Sequence, residues 1–322
     1  MNIAIIALTT GGKALAQKIV NDTSYTVLDS EDKVAEKLRQ NWQLFDGFIM
    51  IMATGIVVRS IAPLLSSKRE DPAIVVMDEA GKNAISLLSG HLGGANKLAH
   101  DVAQVTGGTA IITTASDTLG YTALDLWARD NRLIVADKNQ LTEKSALLVN
   151  RGYLLVYQKE SKLTLPQDLQ EVESISEADI ILSYSEKTNA QQLVLHPQTL
   201  VLGTGCKKET TLTDYQTAFA DLCRDLDISP LSIAKVCSID AKKNEPGLLA
   251  FAQSLQLPIE FYPREEINTF ADQLTHSAKA LEAVGAIGVA EPTALLGASQ
   301  TTLYCTKKKW KNITMALASS TL

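Results

Sequence analysis

Short apolar runs alternate along the chain with stretches whose apolar residues recur at helical spacing. Asn2–Leu8 is apolar and rich in Ile, the pattern of a buried strand. Thr9-Thr10-Gly11-Gly12 predicts a turn, and Lys13–Val20 a helix with Ala14, Leu15, Lys18 and Ile19 at helical spacing. A second strand is expected at Tyr25–Leu28, a helix at Glu31–Gln40 and a third strand at Gly47–Met52. Two more strands follow, Ala73–Met77 and Ala84–Leu88, with a turn at Asp78–Lys82 between them. Ser89–Gly94 interrupts the second. The next helix carries Ala95, Leu98, Ala99, Val102 and Ala103 on one face. Gly107-Gly108 ends it, and Thr109–Thr113 is a strand. Strand–helix alternation of this kind implies largely parallel sheets with helices on their faces.

The pattern weakens over residues 131–198, where strands are expected near Gly152–Tyr157 and Ile180–Ser183 and an exposed turn at Ser185–Asn189. His196-Pro197 reads as a boundary. The alternation then restarts with a strand at Thr199–Leu202 and a tight turn at Gly203-Thr204-Gly205-Cys206. Thr213 and Gln216 fit a capping box for a helix over Asp214–Leu226. Strands at Ser232–Ser238 and Leu257–Tyr262, a small-residue helix after Glu291-Pro292, and a hairpin of Thr302–Thr306 with Ile313–Leu317 complete the reading. The chain is therefore expected to be a multi-domain α/β protein. An N-terminal domain (1–130) and a C-terminal domain (199–322) are joined by a smaller middle segment (131–198), and the two larger domains face a common cleft.

Composition narrows the function. Hydrophobic residues make up 46% of the 322, which excludes a disordered chain. No apolar run reaches membrane-spanning length, and the first residues lack the basic flank of a signal peptide, so a cytoplasmic protein is expected. The net charge is −6, and neither end nor the middle of the chain is net basic, which argues against nucleic acid. Lys307-Lys308-Lys309-Trp310-Lys311 reads as a solvated turn or an anion-binding patch. The four cysteines are scattered without zinc spacing, as expected of a reduced chain with no structural metal.

Candidate chemistry concentrates between Thr54 and Asp117. Thr54-Gly55, Asp78-Glu79, Ser89-Gly90-His91-Leu92-Gly93-Gly94-Ala95-Asn96 and Ser116-Asp117 each fall at a strand end or helix start. In parallel α/β folds that edge binds ligands, and glycines and free N–H groups there suit carboxylates or phosphates. His91 is either a general base near neutral pH or a structural residue bonded to loop carbonyls. Asp78 and Glu79 are weaker catalytic candidates that a turn also explains. Asp117 could cap a helix, and Glu291 could cap the small helix or meet substrate. Cys206 is a nucleophile candidate, with a buried small residue as the plainer reading. Thr10-Gly11-Gly12-Lys13 lacks the first glycine of a phosphate loop, and Gly203-Thr204-Gly205 the third of a dinucleotide fingerprint.

Longer motifs carry a resemblance. Met52–Leu64 (MATGIVVRSIAPL), Asp71–Gly81 (DPAIVVMDEAG) and Ile85–Asn96 (ISLLSGHLGGAN) resemble the N-terminal domain of the CbiG family of anaerobic cobalamin synthesis. Gly203–Lys208 and Val289–Leu296 resemble its CobE-like C-terminal domain, with Lys207-Lys208 where arginines are usual and Ala290 where Cys is frequent. Lysines keep the charge but lose bidentate carboxylate geometry.

The resemblance implies a cobalt-precorrin-5A hydrolase. Such an enzyme opens the ring-A lactone of a carboxylate-rich cobalt corrinoid and releases acetaldehyde. It needs no cofactor of its own, since the cobalt belongs to the substrate. The resemblance does not fix the proton-transfer residues; from their own positions His91 with Asp78 or Glu79 is expected to transfer protons. Thr54, Gly55, Ser89, Gly90, Gly93, Gly94, Asn96, Asp117, Gly203, Gly205, Cys206 and Glu291 are expected to contact substrate. Homo-oligomers and transient contact with neighbouring pathway enzymes are compatible with it. The alternatives are a non-catalytic tetrapyrrole carrier and a nucleotide-binding α/β enzyme.

Overall fold

The structure, a computed structural model, describes residues 1–67, 70–160, 162–185 and 191–321. Most of the expected turn at Ser185–Asn189 lies outside the described residues. The chain divides into two compact units, Met1–Leu126 and Trp127–Leu322. Among the described residues, no helix is long and apolar enough to cross a membrane.

The first unit opens with β1 (Ile3–Ala7), α1 (Thr10–Asn21), β2 (Thr26–Val27), α2 (Val34–Asn41), β3 (Gly47–Ile51), α3 (Thr54–Ile61), β4 (Ala73–Met77) and β5 (Asn83–Leu88). It continues with α4 (Ala95–Thr106), β6 (Thr109–Ile111), α5 (Ala115–Leu119) and the start of α6 (Leu124–Asp130). The strands form one sheet in the order β2-β1-β3-β4-β5-β6. All residues of β1, β3 and β4 are buried, because helices cover both faces. Ala16 and Ile19 of α1 pack with Ala95, Leu98, Ala99, Val102 and Ala103 of α4 on one side. Val34 and Leu38 of α2 pack with Val57 and Ile61 of α3 on the other. The turn expected at Thr9–Gly12 is instead a helix start: Thr9 caps α1 by accepting from the Gly12 N–H at 3.0 Å.

One pairing decides the layout of this sheet. β1, β2, β3 and β4 run parallel, but β5 is antiparallel to β4, with Ile74 opposite Leu88 and Met77 opposite Ala84. β6 is parallel to β5. The carboxyl ends of β5 and β6 therefore emerge on the edge where β1, β3 and β4 begin.

The second unit contains two five-stranded sheets. β7 (Leu133–Val135), α7 (Lys138–Arg151), β8 (Leu154–Gln158), β9 (Leu169–Glu171), β10 (Ile180–Leu182) and β11 (Leu193–Pro197) form the first, in the order β7-β11-β10-β8-β9. His196 and Pro197 lie inside β11, paired with Ile134 and Leu133, rather than in a linker. The second sheet is built from β12 (Leu200–Cys206), α8 (Leu212–Leu226), β13 (Ile233–Ile239), α9 (Pro246–Ser254), β14 (Ile259–Tyr262), α10 (Arg264–Ile267), α11 (Ala278–Val284), α12 (Ala290–Ala298), β15 (Leu303–Lys309) and β16 (Ile313–Ser319). Its strand order is β14-β13-β12-β16-β15. Tyr215, Phe219 and Leu222 of α8 and Phe251 of α9 cover one face; Ala290, Ala294 and Ala298 of α12 cover the other. The capping box of α8 is Thr211 with Asp214, two residues before the expected pair.

Candidate functional site

The loop Ser89–Gly94 leaves β5 and turns into α4. Gly94 caps that helix at φ +87°, and a Cβ there would lie 2.9 Å from Met1 Sδ, so only glycine fits without strain. Ser89 also holds a left-handed conformation, φ 59°, fixed by its hydroxyl donating to the Asp71 carbonyl at 2.9 Å. The N–H groups of Gly94, Ala95 and Asn96 donate to the carbonyls of His91, Ser89 and Gly90 at 2.8, 3.0 and 3.0 Å. Those donors close the loop on itself and are not directed at a ligand.

The closed loop presents the His91 imidazole between two carboxylates. Nε2 lies 2.8 Å from Asp117 Oδ2 and Nδ1 lies 3.3 Å from Asp125 Oδ1. Asp117 sits in α5, after β6, and Asp125 in the first turn of α6. Ser116 Oγ is 3.3 Å from Nε2. A neutral imidazole has one N–H to give, whereas two carboxylates ask for two. The hydrogen bond that the ring donates to Asp125 is the strongest influence on it. Partial burial opposes it, Asp117 adds to it, and the His91 pKa is raised to about 9. At neutral pH the ring is an imidazolium, not the free base anticipated from the sequence. Burial pushes the Asp125 carboxyl up, but the His91 hydrogen bond and charge outweigh it and hold the group below its ordinary range.

A second chain of contacts fixes Asp117. Ser86 donates to Asn96 Oδ1 at 2.7 Å, and Asn96 Nδ2 donates to Asp117 Oδ2 at 3.1 Å and to Thr114 Oγ1 at 3.3 Å. Asn96 is buried. Both His91 and Asn96 therefore bind the same oxygen of Asp117. Its Oδ1 has no partner among the described residues, and the side chain is 37% exposed. A carboxylate with one oxygen pinned and the other open to solvent is suited to orient water or accept a proton.

The antiparallel β4–β5 pairing separates this cluster from the rest of the expected constellation. Asp78 and Glu79 follow the carboxyl end of β4, at the opposite edge from His91. The five-residue length of β4 puts about 15 Å between the two edges, so neither acid partners His91. Asp78 is a turn residue. Its carboxylate accepts from the N–H groups of Ala80, Lys82 and Asn83 at 2.9, 3.3 and 2.7 Å and from Asn83 Nδ2 at 3.1 Å. Burial raises its pKa, and these hydrogen bonds together lower it by more. Glu79 is exposed and its carboxylate lies over Gly11, where a Cβ would meet Oε1 at 2.0 Å. Thr54 and Gly55 open α3 on that same far edge, Gly55 facing the Arg59 guanidinium.

The C-terminal candidates also change character. Gly203, Gly205 and Cys206 lie within β12, not in a turn. A Cβ on Gly203 would lie 1.9 Å from the Ala290 carbonyl oxygen; this glycine lets α12 rest on the strand. Cys206 is half-buried, and burial pushes its thiol pKa up, the opposite of an activated nucleophile. Glu291 is buried in the first turn of α12 and is matched by Lys307, whose Nζ lies 2.9 Å from Oε2 and whose backbone N–H donates to Oε1 at 3.1 Å.

Asp125 is the residue that sequence reasoning missed. It follows Asp117 by eight positions with no recognisable motif between them. The available signal was a glycine-ended short helix at Gly120 followed by an acid in the first turn of the next.

Residues 36–117 match the model described as cobalamin synthesis G N-terminal, and residues 200–318 match cobalamin synthesis G C-terminus. A cobalt-precorrin-5A hydrolase from Priestia megaterium is 30% identical, over 98% of this chain and 94% of that protein. The chain belongs to the CbiG family. The cobalt-precorrin-5A hydrolase of Salmonella typhimurium is 32% identical over 92% of this chain and 91% of its own. Protein CobE from a Sinorhizobium species is 32% identical over 34% of this chain and 71% of its own length. The N-terminal family match ends at Asp117, and so contains His91, Asn96 and Asp117 but stops short of Asp125.

Proposed function

We propose that this chain is a cytoplasmic cobalt-precorrin-5A hydrolase. The observation that carries the reading is the His91 ring clamped between Asp117 and Asp125, with Asp117 Oδ1 left open. Lactone opening needs a base for water, and the later carbon–carbon cleavage needs a base for the freed hydroxyl. Asp117 Oδ1 serves as that base. His91 acts as a fixed cation that orients Asp117 through its Oδ2, and Asp125 keeps His91 charged.

In this scheme Asp117 takes a proton from water as the oxygen adds to the lactone carbonyl. The tetrahedral intermediate then expels the ring oxygen, which takes the proton back from Asp117 and leaves as a hydroxyl, so that Asp117 can accept that proton again in the next step. Deprotonation of that hydroxyl lets its C–O bond become a carbonyl while the adjacent C–C bond breaks. Acetaldehyde departs and the electron pair stays in the macrocycle. Cobalt enters with the substrate and takes no proton in these steps.

The test is anaerobic incubation of the protein with cobalt-precorrin-5A, followed by assay of acetaldehyde and of the corrinoid product. Stoichiometric acetaldehyde supports the hydrolase. Tight binding of the corrinoid with no acetaldehyde supports a carrier instead.

A further inference from the structure

The carboxyl edge of the last sheet gathers lysines that have no counter-ion among the described residues. β12 ends at Cys206 opposite Ile313 of β16, and the next residue, Lys207, donates its N–H to the Asn312 carbonyl at 2.9 Å. Lys207 and Lys208 thus lie directly beside the β15–β16 turn. β15 ends at Lys309, opposite Thr314, and the turn itself carries Lys311. All four lysines are exposed, and none forms an ion pair among the described residues.

The neighbouring lysines behave differently. Lys307 is matched by Glu291 at 2.9 Å, Lys308 by Asp225 at 3.0 Å and Lys242 by Glu245 at 3.0 Å. Local acids therefore pair these three, whereas Lys207, Lys208, Lys309 and Lys311 have no ion pair among the described residues. Of the acids bordering the edge, Glu245 is held by Lys242 and the Glu209 N–H, and Asp221 by Arg224 and Trp310. Glu209 is the single acid between Lys207 and the start of α8. The edge carries local positive charge on a chain whose net charge is −6. Unpaired charge held on adjacent, hydrogen-bonded strands is a preorganised anion surface. Lysines reach a flexible carboxylate as mobile point charges, without the fixed fork of arginine.

We propose that Lys207, Lys208, Lys309 and Lys311 form a docking edge for the acetate and propionate arms of a tetrapyrrole. The proposal rests on the hydrolase reading for the class of ligand, and its test is a binding measurement that needs no turnover. Uroporphyrin, which carries an acetate and a propionate on every ring, is titrated into the full-length protein by fluorescence quenching. Coproporphyrin, in which methyl groups replace the acetates, is titrated beside it.

Changing all four lysines to Gln is expected to raise the uroporphyrin Kd about 10–100-fold, from four exposed charge contacts. It is also expected to flatten the dependence of Kd on salt. The loss for coproporphyrin should be smaller. A second variant with the four lysines changed to Glu should bind more weakly still, and thermal unfolding of both variants should match wild type. A control removes four exposed lysines elsewhere, Lys18, Lys33, Lys138 and Lys279, and should leave Kd within about twofold, since distant surface charges are screened.

Unchanged uroporphyrin affinity in the folded Gln variant overturns the proposal. So does an equal loss in the control, which would make the effect one of net charge. Lysine-dependent binding by a protein that releases no acetaldehyde would leave the docking edge standing and remove the hydrolase reading.

Discussion

The two edges of the first sheet are built from similar material and do different work. Each collects strand-to-helix turns rich in glycine and threonine, and each carries acids. On the edge with Thr54, Asp78 and Glu79, the Asp78 carboxylate is saturated by four hydrogen bonds from its own turn. On the other edge, Asp117 and Asp125 share a single imidazolium, and one oxygen of Asp117 faces solvent. The difference lies in who satisfies the charge. A carboxylate used up by local N–H groups holds a turn together. A carboxylate held through one oxygen by a cation from another loop keeps its second oxygen available.

Removing the cation should have the largest effect. His91→Leu is expected to lower acetaldehyde release at least 100-fold, the scale of a lost acid–base arrangement. Stability should fall by only about 1–2 kcal/mol, because Asp117 is 37% exposed and water can take the place of the ring. A loss confined to stability would make the two edges alike.

Asp125→Asn sharpens the contrast through pH. Wild-type activity should fall as pH rises through about 9, where His91 loses its proton. With the strongest influence on the ring removed, that alkaline limb moves down toward the ordinary histidine range near 6.5. Stability follows the same groups. The raised His91 pKa contributes stability that is complete below about 6.5 and disappears as pH rises through about 9. The lowered Asp125 pKa contributes stability present above the ordinary carboxylate range and lost on acidification. Denaturant unfolding against pH should therefore show the wild type's advantage over Asp125→Asn greatest between about 4 and 6.5.

On the far edge the effects are smaller and of another kind. Asp78→Ala should cost about 1–2 kcal/mol in unfolding free energy, from turn hydrogen bonds at an exposed site. Glu79→Gln should change neither stability nor turnover beyond about 0.5 kcal/mol, since no hydrogen bond or ion pair holds that carboxylate among the described residues.

Much of this molecule was legible in its sequence. The spacing of Ala95, Leu98, Ala99, Val102 and Ala103 named the face of α4 that is buried, and the apolar runs named β1, β3 and β4. The glycines around His91 marked the loop that holds it. Strand direction was the hidden quantity, because a buried apolar run reads the same either way. The Asp78–Lys82 turn was visible, yet its consequence, the reversal of β5, moves His91 to the opposite edge from Asp78. Gly203 and Gly205 were misleading for a related reason: a glycine that admits a ligand and one that admits a packed helix such as α12 look identical until the helix is placed.

The central claim is that the reacting carboxylate is Asp117 and not an acid of the far edge. Asp117→Asn and Asp78→Asn, assayed side by side for acetaldehyde from cobalt-precorrin-5A under anaerobic conditions, test it most directly. The account predicts loss of at least 100-fold for Asp117→Asn and release within about threefold of wild type for Asp78→Asn. Wild-type turnover by Asp117→Asn, or its collapse in a folded Asp78→Asn, would contradict it.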